Sequence, residues 1–155
     1  MDDADKPESD AAEQTPPKIK AEDNPWYLLA TLYGVPERGD QELKDKNRRA
    51  WNRYFAANLD AKMRTRFVEE KRHPAEELTF FPPKELREVE AAFDKRRGSK
   101  MLDLPSSDAR IDFSNVKFDR DVIFEQYLFG DCSFQEAYFS SEAWFADATE
   151  LARRI

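Results

Sequence analysis

The residues that could carry chemistry are few and lie in different segments. A nucleophilic thiol needs a base beside it. The chain has one cysteine, Cys132, and one histidine, His73. Cys132 sits in CSFQE, at an inward position of the repeat described below, and reads as a small buried residue. His73, in the charged turn KRHPAEE, reads as a solvated helix-end residue. One of each cannot make a Cys/His zinc set, and a lone histidine in a charged turn offers no Ser-His-Asp triad that the sequence can point to. The glycine motifs that cradle phosphates are absent, and the chain has only 4 glycines. The expectation is a protein that is not an enzyme, with no catalytic residue, no metal site and no cofactor.

Two surfaces remain as candidates for binding. In NRRAWNRY, Arg48, Arg49 and Arg53 could meet phosphates while Trp51 and Tyr54 stack on bases. However, Trp51 and Tyr54 also fit the buried face of a helix, and Glu42 and Asp45 lie close by. The run reads as a solvated helix face, so no direct nucleic-acid partner is expected. The second surface is acidic. Residues 111–150 carry 9 acids against 2 bases, whereas residues 25–110 carry 15 acids and 18 bases. Asp131, Glu136 and Glu142 are the candidate interaction residues of that acidic stretch.

The 155 residues carry a net charge of −7. No apolar run reaches the length that spans a bilayer, so no membrane partner is expected. The start, MDDADKPESD, lacks the basic and apolar parts of a signal peptide. With a lone cysteine as well, the cytoplasm is the expected compartment.

The elements that must position these residues follow from periodicity. Residues 1–23 are acidic and polar and read as a disordered arm, dispensable for stability. Asn24-Pro25 is a helix start, and Trp26 to Tyr33 is an apolar helix stopped by Gly34. A second helix is predicted from about Asp40 to Asn58, with Leu43, Asn47, Ala50, Trp51, Tyr54 and Phe55 on one face. A third follows Asp60 and ends before Pro74. A fourth runs from about Pro83 to Arg97. Residues 24–98 thus read as a small helical bundle, and 99–110 as a linker.

From Ile111 the grammar changes. Cut in fives, the sequence reads IDFSN, VKFDR, one extra residue (Asp121), VIFEQ, YLFGD, CSFQE, AYFSS, one extra residue (Glu142), AWFAD and ATE. The third position holds Phe113, Phe118, Phe124, Phe129, Phe134, Phe139 and Phe145, the expected structural core. The first position is Ile, Val, Tyr, Cys or Ala. A strict period of five suits neither a single helix nor a single strand. It closes if each unit makes one short side and one corner of a coil, so that coils stack at strand spacing, about 4.8 Å. Asp121 and Glu142 are expected to be bulges, and Tyr127 to distort its corner.

This pattern resembles the pentapeptide-repeat family. The run NPWYLLATLYG followed by NRRAWNRYF is similar to the helical region ahead of such repeats in some bacterial proteins. The resemblance implies an α+β chain: a helical bundle followed, over 111–150, by a short right-handed quadrilateral β-helix with four units per coil. Residues 151–155 would be a tail or cap, and the alternative cover for the last coil is a second chain, giving a homodimer through that coil. The expected function is a non-enzymatic scaffold that binds a protein. The alternative is an acidic DNA mimic that regulates a topoisomerase or another DNA-binding protein.

Overall fold

The computed structural model describes residues 18–145 and the short strand Thr149–Glu150. Among these, α-helices fall within residues 25–97, and short strands pair in small parallel sheets. Three of the four α-helices among the described residues begin at a side-chain cap, and the fourth opens on Pro83 without one. Asn24 accepts a hydrogen bond from the Tyr27 N–H at 3.0 Å and Pro25 opens helix α1, Pro25–Ala30. Asp40 and Asp60 do the same for α2, Gln41–Phe55, and α3, Ala61–Glu70. Helix α4 spans Pro83–Arg97 and ends at Gly98, whose φ of 64° is one a side chain resists. α1 is shorter than expected, because the Thr31 hydroxyl donates back to the Tyr27 carbonyl at 2.7 Å and the chain turns there.

The strands are β1, Ile19–Lys20; β2, Ile111–Asp112; β3, Val116–Phe118; β4, Val122–Ile123; β5, Leu128–Phe129; β6, Cys132–Ser133; β7, Tyr138–Phe139; β8, Ala143–Trp144; and β9, Thr149–Glu150. β2 pairs with β6, β3 with β7, β4 with β8 and β5 with β9, all parallel. In each pair the partners stand 21 residues apart, as in Ile111 with Cys132 and Leu128 with Thr149. One pass of the chain therefore lies over the next. Asp121 and Glu142 are also 21 residues apart. They are the same extra residue in two successive passes, so the ladders beyond them stay in register. The expected bulges do not form, because a bulge needs one strand to be longer than its partner.

Burial falls from the first pass to the second. Phe113, Phe118, Phe124 and Phe129 are buried, as are Ile111, Val116, Val122 and Tyr127. Phe134 and Phe139 are half-buried, and Phe145 is 38% exposed. The expectation that all seven Phe are buried holds for the first four and fails for Phe145. Each second-pass ring is covered by the ring above it, as in Phe113 over Phe134 at 5.0 Å and Phe118 over Phe139 at 4.8 Å. Among the described residues nothing comparable covers them from below. The expected cap, from Ala148 to Ile155, lies outside the described residues except for strand β9.

The helices cover the first pass from above. Trp51 packs against Phe55 and reaches Phe124, Tyr127 and Phe129, all within 6.5 Å between ring centres. Helices and repeat share one continuous core. A second cluster joins Leu128, which points out of the repeat, to Leu59, Phe67 and Leu78 around α3. Tyr127 does not disturb its corner. Its ring fills the helical side and its hydroxyl donates to the Ala30 carbonyl at 2.9 Å.

Over β2, β3 and β5 the upper backbone edge of the first pass is met in kind. β1 pairs with β3, Ile19 opposite Val116. The Asn24 side chain donates to the Asp112 carbonyl at 3.0 Å. Asn52 accepts from the Leu128 N–H at 2.8 Å and donates to the Gln126 carbonyl at 3.0 Å, and the Trp51 indole donates to the Leu128 carbonyl at 2.6 Å. β1 corrects the expected disorder of residues 1–23 for its last part. Ile19–Lys20 form a strand, Ala21–Asp23 a 3-10 turn, and Ala21 is buried. Arg96 holds Glu22 in a two-pronged pair, at 2.7 and 3.0 Å, and Lys100 donates to the Glu22 carbonyl. Composition signals disorder only while no partner surface is at hand, and here the repeat edge supplies one. Residues 1–17 lie outside the described part.

Phe129→Ala should cost about 3–5 kcal/mol and Phe145→Ala about 1 kcal/mol or less, measured by chemical denaturation. Asn52→Leu strands the Leu128 N–H and the Gln126 carbonyl and should cost about 1–3 kcal/mol. Equal losses for the two Phe variants would contradict the burial gradient.

Candidate functional site: the acidic flank and the exposed end of the repeat

Asp131 lies at the corner that leads into the second pass, Glu136 and Glu142 lie at corners within it, and each of the three has a cation beside it. Arg110 stands 3.7 Å from Asp131, Lys18 stands 4.0 Å from Glu136, and Arg38 stands 3.5 Å from Glu142. Glu136 adopts a φ of 62°, a conformation uncommon for its type. These are exposed pairs, and such pairs contribute little individually. They do reduce the negative field that the composition of 111–150 suggests, since Lys18, Arg38 and Arg110 come from outside the repeat.

The Arg38 contact is the most developed of the three. Its guanidinium donates to Asp121 at 3.0 Å and to Glu142 at 3.5 Å, bridging the extra residue of both passes. Without a cation, two acids stacked at strand spacing would repel. Asp121 also accepts from the Ser141 hydroxyl and from the Glu142 N–H, the latter at 3.2 Å. Its carboxyl is held down to about 2, first by the Ser141 hydrogen bond, then by Arg38 and by the Glu142 main chain. Glu142 in turn accepts from the Trp144 indole at 2.9 Å.

Beside these acids the second pass presents large apolar side chains. Tyr138 is 51% exposed and Trp144 37% exposed. Both hold the second position of their units and face outward. One pass earlier the equivalent positions hold Lys117, which is exposed, and Ile123, which is half-buried. The Lys44 ammonium sits 5.9 Å from the Trp144 ring.

The remaining candidates are used within the fold. Trp51 and Tyr54 are buried, as the helix face predicts. The Tyr54 hydroxyl donates to the Pro105 carbonyl, and burial pushes it up to about 12. Arg48 grips the buried Glu77 with two hydrogen bonds and also Asp45, while Arg53 pairs with Glu85 at 2.7 Å. Cys132 is half-buried in β6. His73 corrects the expectation of a solvated side chain. It is 2% exposed, edge-on to Phe67, because its N–H closes the end of α3 on the Phe67 carbonyl. Cys132 and His73 belong to different parts of the fold. Among the described residues no group of three or more His, Cys, Asp or Glu converges as metal ligands, and no helix is long and apolar enough to cross a membrane.

Sequence reasoning missed Arg38 and the outward second positions. For the latter a signal existed, since Ile123, Leu128, Tyr138 and Trp144 break an otherwise polar column of the repeat. Arg38 lies in the loop PERGD and carries no such signal. No protein-family model matches the chain, and neither a curated protein nor a solved structure matches it.

The Asp121 cluster makes a pH prediction. Because the folded carboxyl titrates below its ordinary value of 3.8, its contribution to stability is present above that value. The contribution is lost as the pH falls toward about 2. Asp121→Asn should remove that part of the acid sensitivity, read as a flatter denaturation midpoint across this window. Identical acid profiles for the two proteins would refute the assignment.

Proposed function

We propose that residues 111–150 are a short right-handed quadrilateral β-helix of the pentapeptide-repeat kind, that residues 18–98 serve as its cap, and that the protein works without catalysis as an interaction scaffold. The carrying observation is the exposed aromatic set of the second pass, Tyr138, Trp144 and Phe145, next to Glu136 and Glu142. Exposed aromatics flanked by charge are the usual composition of a protein-binding surface. The 21-residue parallel register and the inward Phe column support the β-helix reading. The polar clusters elsewhere, Arg48–Glu77–Asn52 and Arg96–Glu22–Thr31, hold elements together and so favour a structural use of these groups.

A photo-crosslinking residue in place of Tyr138 should give one discrete protein adduct in cells, and the same residue in place of Lys62 on α3 should not. Adducts at both positions, or at neither, would count against the scaffold reading. A topoisomerase supercoiling assay at low salt covers the acidic alternative. Inhibition that fades with salt and disappears when Asp131, Glu136 and Glu142 are reversed to Lys would replace the scaffold with a DNA mimic.

A further inference from the structure

The first-pass edge has four strands, and three of them are met from above. β3 is met by β1, β2 by Asn24, and β5 by Asn52 and Trp51. β4 differs. The Val122 N–H donates to the Glu142 carbonyl and the Phe124 N–H to the Trp144 carbonyl, both at 2.8 Å. Main-chain groups of neighbouring strand residues point to opposite sides. The N–H and C=O of Ile123 therefore point upward, away from β8. Among the described residues no strand or side chain pairs with them. A cleft of about 300 Å³ borders Ile123, lined also by Gln41, Lys44, Arg48, Glu125, Gln126 and Tyr127.

We propose that this edge takes an extended peptide segment of a partner protein, with an acidic side chain directed at Lys44. A donor and an acceptor side by side on one strand residue are matched by the main-chain amides of another strand. Within this fold β1 already makes that match for β3. The acid follows from charge. Arg48 is engaged by Glu77 and Asp45. Lys44 has no carboxylate within ion-pair distance among the described residues, its neighbour being the Trp144 ring. The lining amides of Gln41 and Gln126 offer further donors and acceptors to such a segment. The inference rests on the scaffold reading and supplies it with a partner class and an address.

The test uses the full chain and a capped peptide, acetyl-Thr-Val-Glu-Val-Thr-amide. Titration followed by amide NMR should shift the Ile123 resonance and slow its hydrogen exchange while leaving the Leu128 amide unchanged. Lys44→Gln should weaken binding about three- to fivefold, and N-methylation of the peptide's central residue should abolish it. An Ile123 amide unmoved at millimolar peptide would overturn the proposal. So would an Ile123 amide already protected in the free chain, which would mean that the chain's own segment fills the edge. A discrete adduct at Tyr138 with Ile123 unmoved would leave the scaffold reading intact and remove only this one.

Discussion

A strand edge left in water is a standing invitation to other strands, and one buried without partners costs several hydrogen bonds. This structure is organised around closing such an edge. Strands of two or three residues cannot hold themselves together, and each needs a neighbouring strand or side chain to bond to. For the first pass the neighbour below is the second pass. Above β2, β3 and β5 the neighbour is assembled from parts: two residues of strand β1, the amide of Asn24, and the amide and indole of Asn52 and Trp51. A carboxamide side chain presents the same donor and acceptor as a peptide group. Asn52 uses both against β5.

That requirement explains why the helices are where they are. α2 must lie across the first pass for Trp51 to cover Phe124 and Phe129 and for Asn52 to reach Leu128. Glu77, buried at 2% exposure, then has to be neutralised, and Arg48 does so from the same helix while Asn52 donates to the same carboxylate. Charge pairs at that depth add little net stability over apolar packing, but removing one partner leaves the other buried and unpaired at a cost of about 3–5 kcal/mol. α4 carries Arg96, which holds Glu22, and so keeps β1 on the edge. The helical part and the repeat thus share one core.

Much of this could be read from the sequence, for identifiable reasons. The helix limits were legible because Asn24, Asp40, Asp60 and Gly98 are strong local signals. The inward Phe column was legible because its period excludes both common elements. β1 was not legible. Its two residues sit in an acidic arm, and only a surface formed a hundred residues later makes them a strand. The meaning of Asp121 and Glu142 was also hidden. Read locally, each breaks a period of five, and only the ladder shows that they match. Arg38 was invisible for a related reason, since its role exists only once those two acids are stacked. The burial of His73 likewise depends on how α3 ends against Phe67.

The matched extra residues have a consequence for how such a chain can change in length. Its indivisible step is 21 residues. A duplication or deletion of a single pentad between them, harmless to the local pattern, would put Asp121 and Glu142 at different corners and throw the strands paired across that point out of register. A tandem copy of 21 would add a whole layer and preserve the pairing. It would also add a third acid to the column that Arg38 spans, and one guanidinium cannot bridge three layers. Growth would then select for a second cation on that flank, or for a neutral residue at the corner. Any longer version of this segment should record, at every twenty-first position, which solution was taken.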